Sequence, residues 1–185
     1  MFIEKSKFEF TSILETNWQL ITKELEQLQP SNFMLWPEKF LYNNGWETFG
    51  LYAFGSKLNA NCQLCPETTR LVETIPGMTT AGFSCLSPGT HITPHVGYSK
   101  AVLRCHLGLI VPDGCTLRVG NETRNWQQGK CFIFDDTVEH EAWNCGDKIR
   151  IILLIDFKNP EVNLSDKFQV FCAPEVAQVI QNLTK

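Results

Sequence analysis

The side chains best suited to chemistry are concentrated in one part of the chain. His91, His95, His106 and His140 fall within 50 residues, and the other 135 residues contain no histidine. Neutral imidazole is a common ligand for divalent metals, and its ordinary pKa lies near neutrality. A lone histidine in a β-rich chain is usually structural, whereas four in one stretch form a candidate metal site. His140 follows His95 by 45 residues, so two strands brought together could present both rings to one ion. Asp135, Asp136, Glu139 and Glu141 flank His140 as outer-shell acids, or equally as turn formers and exposed charges.

Two arginines sit where exposed cations do not belong. In Leu103-Arg104-Cys105-His106-Leu107-Gly108-Leu109, strand alternation puts Arg104, His106 and Gly108 on one face and the leucines on the other. Inside a barrel, the first face reads as a pocket for an anion. On the outside it reads as a solvated face. Arg150 opens an apolar run, Ile151 to Ile155, that reads as a central strand. A buried guanidinium needs a carboxylate or an anionic ligand. Its partner is therefore a bound carboxylate, or an internal acid such as Asp156 or Asp136.

The elements that must position these residues follow from patterning. Ser12-x-x-Glu15 resembles a capping box, and Ile13, Leu14, Trp18, Ile21, Leu25 and Leu28 follow a helical period that Pro30 ends. From Trp46 the texture becomes β-rich, with short segments near 46–54, 70–75, 82–87, 101–111, 115–120, 130–135, 138–144 and 148–157. Gly, Pro and Asn clusters separate them, as in Pro88-Gly89, Pro112-Asp113-Gly114 and Cys145-Gly146-Asp147. This spacing predicts an all-β sandwich or barrel. Residues 164–183 return to helical texture, with Ser165 as a cap. One domain is expected over 1–185: a helical flank over 1–45, a β core over 46–160 and a helical flank over 161–185.

Composition narrows the function. The chain of 185 residues carries a formal charge of −4 and no basic block, which disfavours nucleic acid or an anionic membrane as partner. No apolar run approaches the roughly 18 residues of a spanning helix. The N-terminus lacks the apolar core of a signal peptide, so a cytoplasmic location is the default expectation. The eight cysteines are irregularly spaced and read as small buried hydrophobes kept reduced. Cys62 and Cys65 form one C-x-x-C with no second pair to complete a zinc site, and read as a loop with two ordinary thiols.

Taken in order, several short motifs resemble the aspartyl/asparaginyl β-hydroxylase family of Fe(II)- and 2-oxoglutarate-dependent oxygenases. They are Gly45-Trp46 with Phe49, Ser87-Pro88-Gly89-Thr90-His91, Pro94-His95-Val96-Gly97, the Leu103–Leu109 run, Asn121-Glu122-Thr123 with Trp126, Ile133-Phe134-Asp135-Asp136, Glu139-His140-Glu141 with Trp143, and Arg150. The resemblance covers roughly Trp46 to Pro160 and implies a double-stranded β-helix, a jelly-roll barrel.

By resemblance, His95 and His140 are the protein ligands of Fe(II). The carboxylate that most such oxygenases place two residues after the first histidine is here Gly97, which matches this family's own pattern. Arg150 would pair with the distal carboxylate of 2-oxoglutarate, with Ser84 adding a hydrogen bond and His106 contacting the cosubstrate near the metal. Arg104 would hold a carboxylate of cosubstrate or substrate. Trp46 and Leu86 match positions lining the pocket. The implied reaction consumes O2 and 2-oxoglutarate, releases succinate and CO2, and hydroxylates an aspartyl or asparaginyl β-carbon in a peptide or small molecule. Hydroxylation of a lipid acyl chain or another small molecule, or a barrel that binds without turnover, are the alternatives. Large animal members carry a membrane anchor and helical repeats that are not expected here. Val102 stands where those members have a second arginine, which leaves the substrate open.

Overall fold

The computed structural model describes residues 1–162 and 172–184. In chain order the elements are β1 (Phe2–Ile3), α1 (Phe10–Leu25), β2 (Met34–Leu35), β3 (Trp46–Ala53), β4 (Ser56–Lys57), α2 (Asn59–Leu64) and α3 (Pro66–Glu73). There follow β5 (Met78–Leu86), β6 (His91–His95), β7 (Val102–Ile110), β8 (Cys115–Val119), β9 (Glu122–Asn125), β10 (Cys131–Phe134), β11 (His140–Asn144), β12 (Arg150–Lys158) and α4 (Pro174–Leu183). The major antiparallel sheet runs β1-β10-β7-β12-β5-β3-β2, with β4 paired to β3, and the minor sheet runs β6-β11-β8-β9. The two sheets face each other as a double-stranded β-helix with helices at the ends, the expected class.

Period-two alternation decides what each face of the major sheet meets. Leu103, Cys105, Leu107 and Leu109 of β7 point outward with Ile151, Leu153, Ile155 and Phe157 of β12. They pack against Leu14, Ile21 and Leu25 of α1 and Leu71 and Val72 of α3. Each large apolar side chain buried there contributes about 1.5–3 kcal/mol. The opposite face looks into the barrel. Trp46, Leu86, Phe132, Phe134 and Ile152 there meet Ile92, Leu117, Val119 and Ala142 of the minor sheet. β12 lies between β7 and β5, so Arg150 enters the interior from a central strand.

Four local expectations give way in the structure. The segment near 70–75 lies within and just after helix α3, not in a strand. Pro66 presets its first turn, and the Glu24 carboxylate of α1 accepts from Glu67 N (2.8 Å), Thr68 N (2.7 Å) and Thr68 Oγ1 (2.6 Å). Ser12 is no cap. Helix α1 begins at Phe10 without a side-chain cap, and Glu15 turns outward to Lys5, Lys130 and the backbone N–H of Cys131. Ile13, expected on the buried stripe, is exposed. Cys62 lies within α2 and Cys65 at its junction with α3, where a loop was expected; both thiols are free and buried. The expected cap Ser165 lies outside the described residues.

Candidate active site

β6 ends at His95 and β11 begins at His140, and antiparallel pairing makes the two residues direct Cα partners. Their ring centroids are 4.2 Å apart. His95 Nδ1–H donates to Thr93 O (2.8 Å) and His140 Nδ1–H donates to Val138 O (2.9 Å). A carbonyl can only accept, so each bond places the proton on Nδ1 and leaves Nε2 with a free lone pair. Burial lowers the pKa of His95, and burial together with His95 pushes His140 down to about 3. Both rings are thus neutral and oriented by backbone, the state a divalent metal requires. Among the described residues no third His, Cys, Asp or Glu completes the group.

Gly97 explains why no carboxylate follows His95. A Cβ there would lie 2.3 Å from Asp136 Oδ2, and Gly97 N–H already donates to Asp136 O at 2.7 Å. The Asp136 carboxyl fills the volume that a side chain at 97 would need. It is 4% exposed, and its Oδ1 has no partner among the described residues. Burial, opposed by Arg104, raises its pKa to about 6.

Deeper in the barrel, Arg150 is 1% exposed. Its guanidinium lies over the Trp126 ring, 4.6 Å from the centroid, and Nη1 reaches Ser84 O at 3.4 Å. Its Nε has no partner, and no carboxylate pairs with it among the described residues. Burial lowers its pKa to about 10, which leaves it charged at neutral pH. Beside it, His106 Nδ1 accepts from Trp126 Nε1–H (3.3 Å), which puts the His106 proton on Nε2. That Nε2 is buried and unpaired. Burial first, then Arg104 and Arg150, hold His106 well below its usual pKa, so it is neutral. Ser84 Oγ accepts from Trp46 Nε1 at 3.1 Å, and Leu86 is the Cα partner of both Arg150 and Trp46. The result is a buried cation and a neighbouring orphan N–H donor in the interior, a setting for an anionic ligand.

Arg104 is different. It faces the interior, but its Nε and Nη2 grip Asp156 at 2.7 and 2.9 Å, and Nη2 also reaches Asp136 at 3.3 Å. Burial works to lower its pKa, yet the two aspartates hold it above the usual arginine value. The internal acids proposed for Arg150 are therefore taken by Arg104, and the arginine expected to hold a ligand carboxylate already holds two of the protein's own.

The expected site residues gather on the inner faces of the two sheets. His91 stands apart, stacked on Trp143 (5.2 Å, 10°) and bonded to Glu141 (3.0 Å). A cavity of about 170 Å³ opens outward from His95, Gly97, Arg104, Trp46 and Ser84 toward an apolar wall on α4. Sequence reading missed Glu38 and Trp36, which line this cavity from a stretch taken only as part of the helical flank over 1–45. Asp136 stood among four outer-shell acids; the glycine at 97 was the signal that could have singled it out.

The sequence matches the aspartyl/asparaginyl β-hydroxylase family over residues 15–160. An ornithine lipid ester-linked acyl 2-hydroxylase of Rhizobium tropici is 51% identical over 118 residues, 62% of this chain and 42% of that one. The human aspartyl/asparaginyl beta-hydroxylase is 37% identical over 163 residues, 83% of this chain and 22% of that one. The chain thus spans less than half the length of either relative. Among solved structures, a cupin domain of an XRE family transcriptional regulator from Enterobacter cloacae aligns with a TM-score of 0.44 at 10% identity, covering 63% of this chain and 99% of that one. The match over most of the chain, carrying His95, His140 and Arg150 within it, places the protein in the aspartyl/asparaginyl β-hydroxylase family.

Proposed function

We propose that the protein is an Fe(II)- and 2-oxoglutarate-dependent hydroxylase. The observation that carries this reading is Arg150, a fully buried guanidinium with no internal carboxylate, beside the orphan Nε2–H of His106. A cation so placed costs stability unless a ligand supplies the counter-charge. The distal carboxylate of 2-oxoglutarate fits that need, with Ser84 at its edge. His95 and His140 would hold the metal through Nε2, and the metal, when bound, supplies the activation of O2 that amino-acid side chains cannot. Asp136 Oδ1, buried and without a partner among the described residues, could accept a hydrogen bond in the cavity it shares with His95. Trp46 and Leu86, buried in the inner cluster, would wall the pocket.

The family supports an aspartyl or asparaginyl β-carbon as the position hydroxylated, in a peptide or small molecule. A second reading, an acyl chain, is favoured by the apolar cavity wall of Val176, Val179, Ile180 and Leu183 and by the likeness to the Rhizobium acyl hydroxylase. Among the described residues no helix is long and apolar enough to cross a membrane.

The test is succinate formation followed by NMR with Fe(II), ascorbate, 2-oxoglutarate and O2. Wild type is expected to form succinate slowly even without its substrate, and His140→Ala to form none. Paired binding measurements, with Mn(II) in place of Fe(II), should show metal-dependent 2-oxoglutarate binding that the His95→Ala/His140→Ala protein lacks. Equal binding by that variant would overturn the metal-site assignment, and binding without turnover would favour a non-catalytic barrel.

A further inference from the structure

Resting on the reading of the His95 cavity as the substrate pocket, we infer that Glu38 is a specificity residue that receives a cationic amino group of the substrate. Three carboxylates line this cavity, Glu38, Asp136 and Asp156, against a single cation, Arg104, among the described residues. Asp156 and Asp136 take up Nε and Nη2 of that cation. Glu38 feels Arg104 only at a distance. It is 3% exposed and makes no ion pair among the described residues.

Only neutral donors reach it. Trp36 Nε1–H donates to Oε2 at 3.1 Å, and Tyr98 O–H donates to Oε1 at 2.5 Å. Each oxygen keeps a free lone pair. A carboxylate withdrawn from water with no counter-cation is costly to the free protein, and the cost falls when a ligand brings the positive charge. Asp136 Oδ1, also buried in this cavity and unpartnered, deepens the same negative field.

Position makes the charge selective for substrate. Tyr98 lies three residues beyond His95, so its bond to Glu38 ties the segment after that histidine to the Trp36–Glu38 strap. Glu38 and His95 line the same cavity and feel each other electrostatically. Beyond them the wall turns apolar, with Val176, Val179, Ile180 and Leu183 on α4. An ammonium at Glu38 with a hydrocarbon portion along α4 satisfies both parts of the cavity. A free anionic group would meet three carboxylates and one cation there.

The experiment compares octylammonium, octanol and octanoate, equal in chain length and different in charge, as ligands of the purified protein. Binding is read calorimetrically and from the fluorescence of Trp36, which bonds Glu38 directly. Wild type is expected to bind octylammonium about tenfold or more tighter than octanoate, and Glu38→Gln to reduce that ratio to about threefold or less. Arg150→Met should leave the preference intact while losing 2-oxoglutarate, so a failure of the cosubstrate assignment and a failure of this one read differently. A preference that survives Glu38→Gln would overturn the proposal. If Glu38→Gln does not fold, wild type decides: equal affinity for octylammonium and octanol overturns it.

Discussion

Two guanidiniums project into the same barrel from adjacent strands, and their surroundings are opposites. Arg104 on β7 faces two aspartates, and Arg150 on β12 faces an indole and a carbonyl. Register explains the first. β12 pairs with β7 so that Asp156 is the direct Cα partner of Arg104, and a bidentate contact follows from the backbone alignment. At the other end of β12, Arg150 pairs with Leu86 of β5, so no acid is opposite it. A satisfied buried arginine is a structural part, and one without a counter-charge among the described residues is a candidate to bind an anion. The difference teaches that burial and charge alone do not mark a ligand site; the missing counter-charge does.

The contrast can be broken most forcefully at Arg104. Arg104→Met should lower unfolding free energy by about 3–5 kcal/mol, because Asp156 and Asp136 would remain buried without a cation. Urea denaturation checks this, and a loss below about 1 kcal/mol would place the aspartates in water rather than in a low-dielectric interior. Arg150→Met should do the reverse to the folded protein, leaving stability unchanged or improved. Its effect belongs to the ligand: affinity for 2-oxoglutarate should fall by about 30- to 1,000-fold. Unchanged affinity would assign Arg150 to structure.

The smallest effect sharpens the comparison by pH. Asp136 has a folded pKa near 6 against an ordinary value of 3.8. The unfolded chain therefore releases this proton first, so stability falls as pH rises between those values, by up to about 3 kcal/mol. Asp136→Asn should flatten that part of the stability profile, read from urea midpoints between pH 4 and pH 7. A slope identical to wild type would mean that Arg104 holds Asp136 ionised throughout.

Much of this was legible in the chain before any coordinates. The alternation of Leu103 to Leu109 places Arg104 and His106 on one face because a strand has period two, and the interior confirms that grouping. What was not legible is pairing at a distance. Asp156 and Asp136 were both visible as acids, but which arginine they serve depends on the register of β12 against β7, a property of the assembled sheet. The same holds for Glu15, whose apparent capping role yields to Lys5 and the backbone of Cys131, 116 residues away. Segment 70–75 was too short for periodicity to separate helix from strand; Pro66 and the distant Glu24 settle it. Glu38 escaped notice because nothing local distinguishes it; only the Tyr98 hydroxyl and the wall of β3, β5 and α4 reveal where it stands.

The glycine at 97 also constrains what this lineage can become. If His95 and His140 hold a metal, a carboxylate added at position 97 as a third ligand would meet the Asp136 side chain, which stands in its volume. The route therefore needs two changes, and each taken alone is a step down. A new acid at 97 collides with Asp136, and a shortened residue 136 takes a carboxylate away from Arg104. A third ligand that looks one codon away is therefore barred by a steric and electrostatic contact between positions 97 and 136.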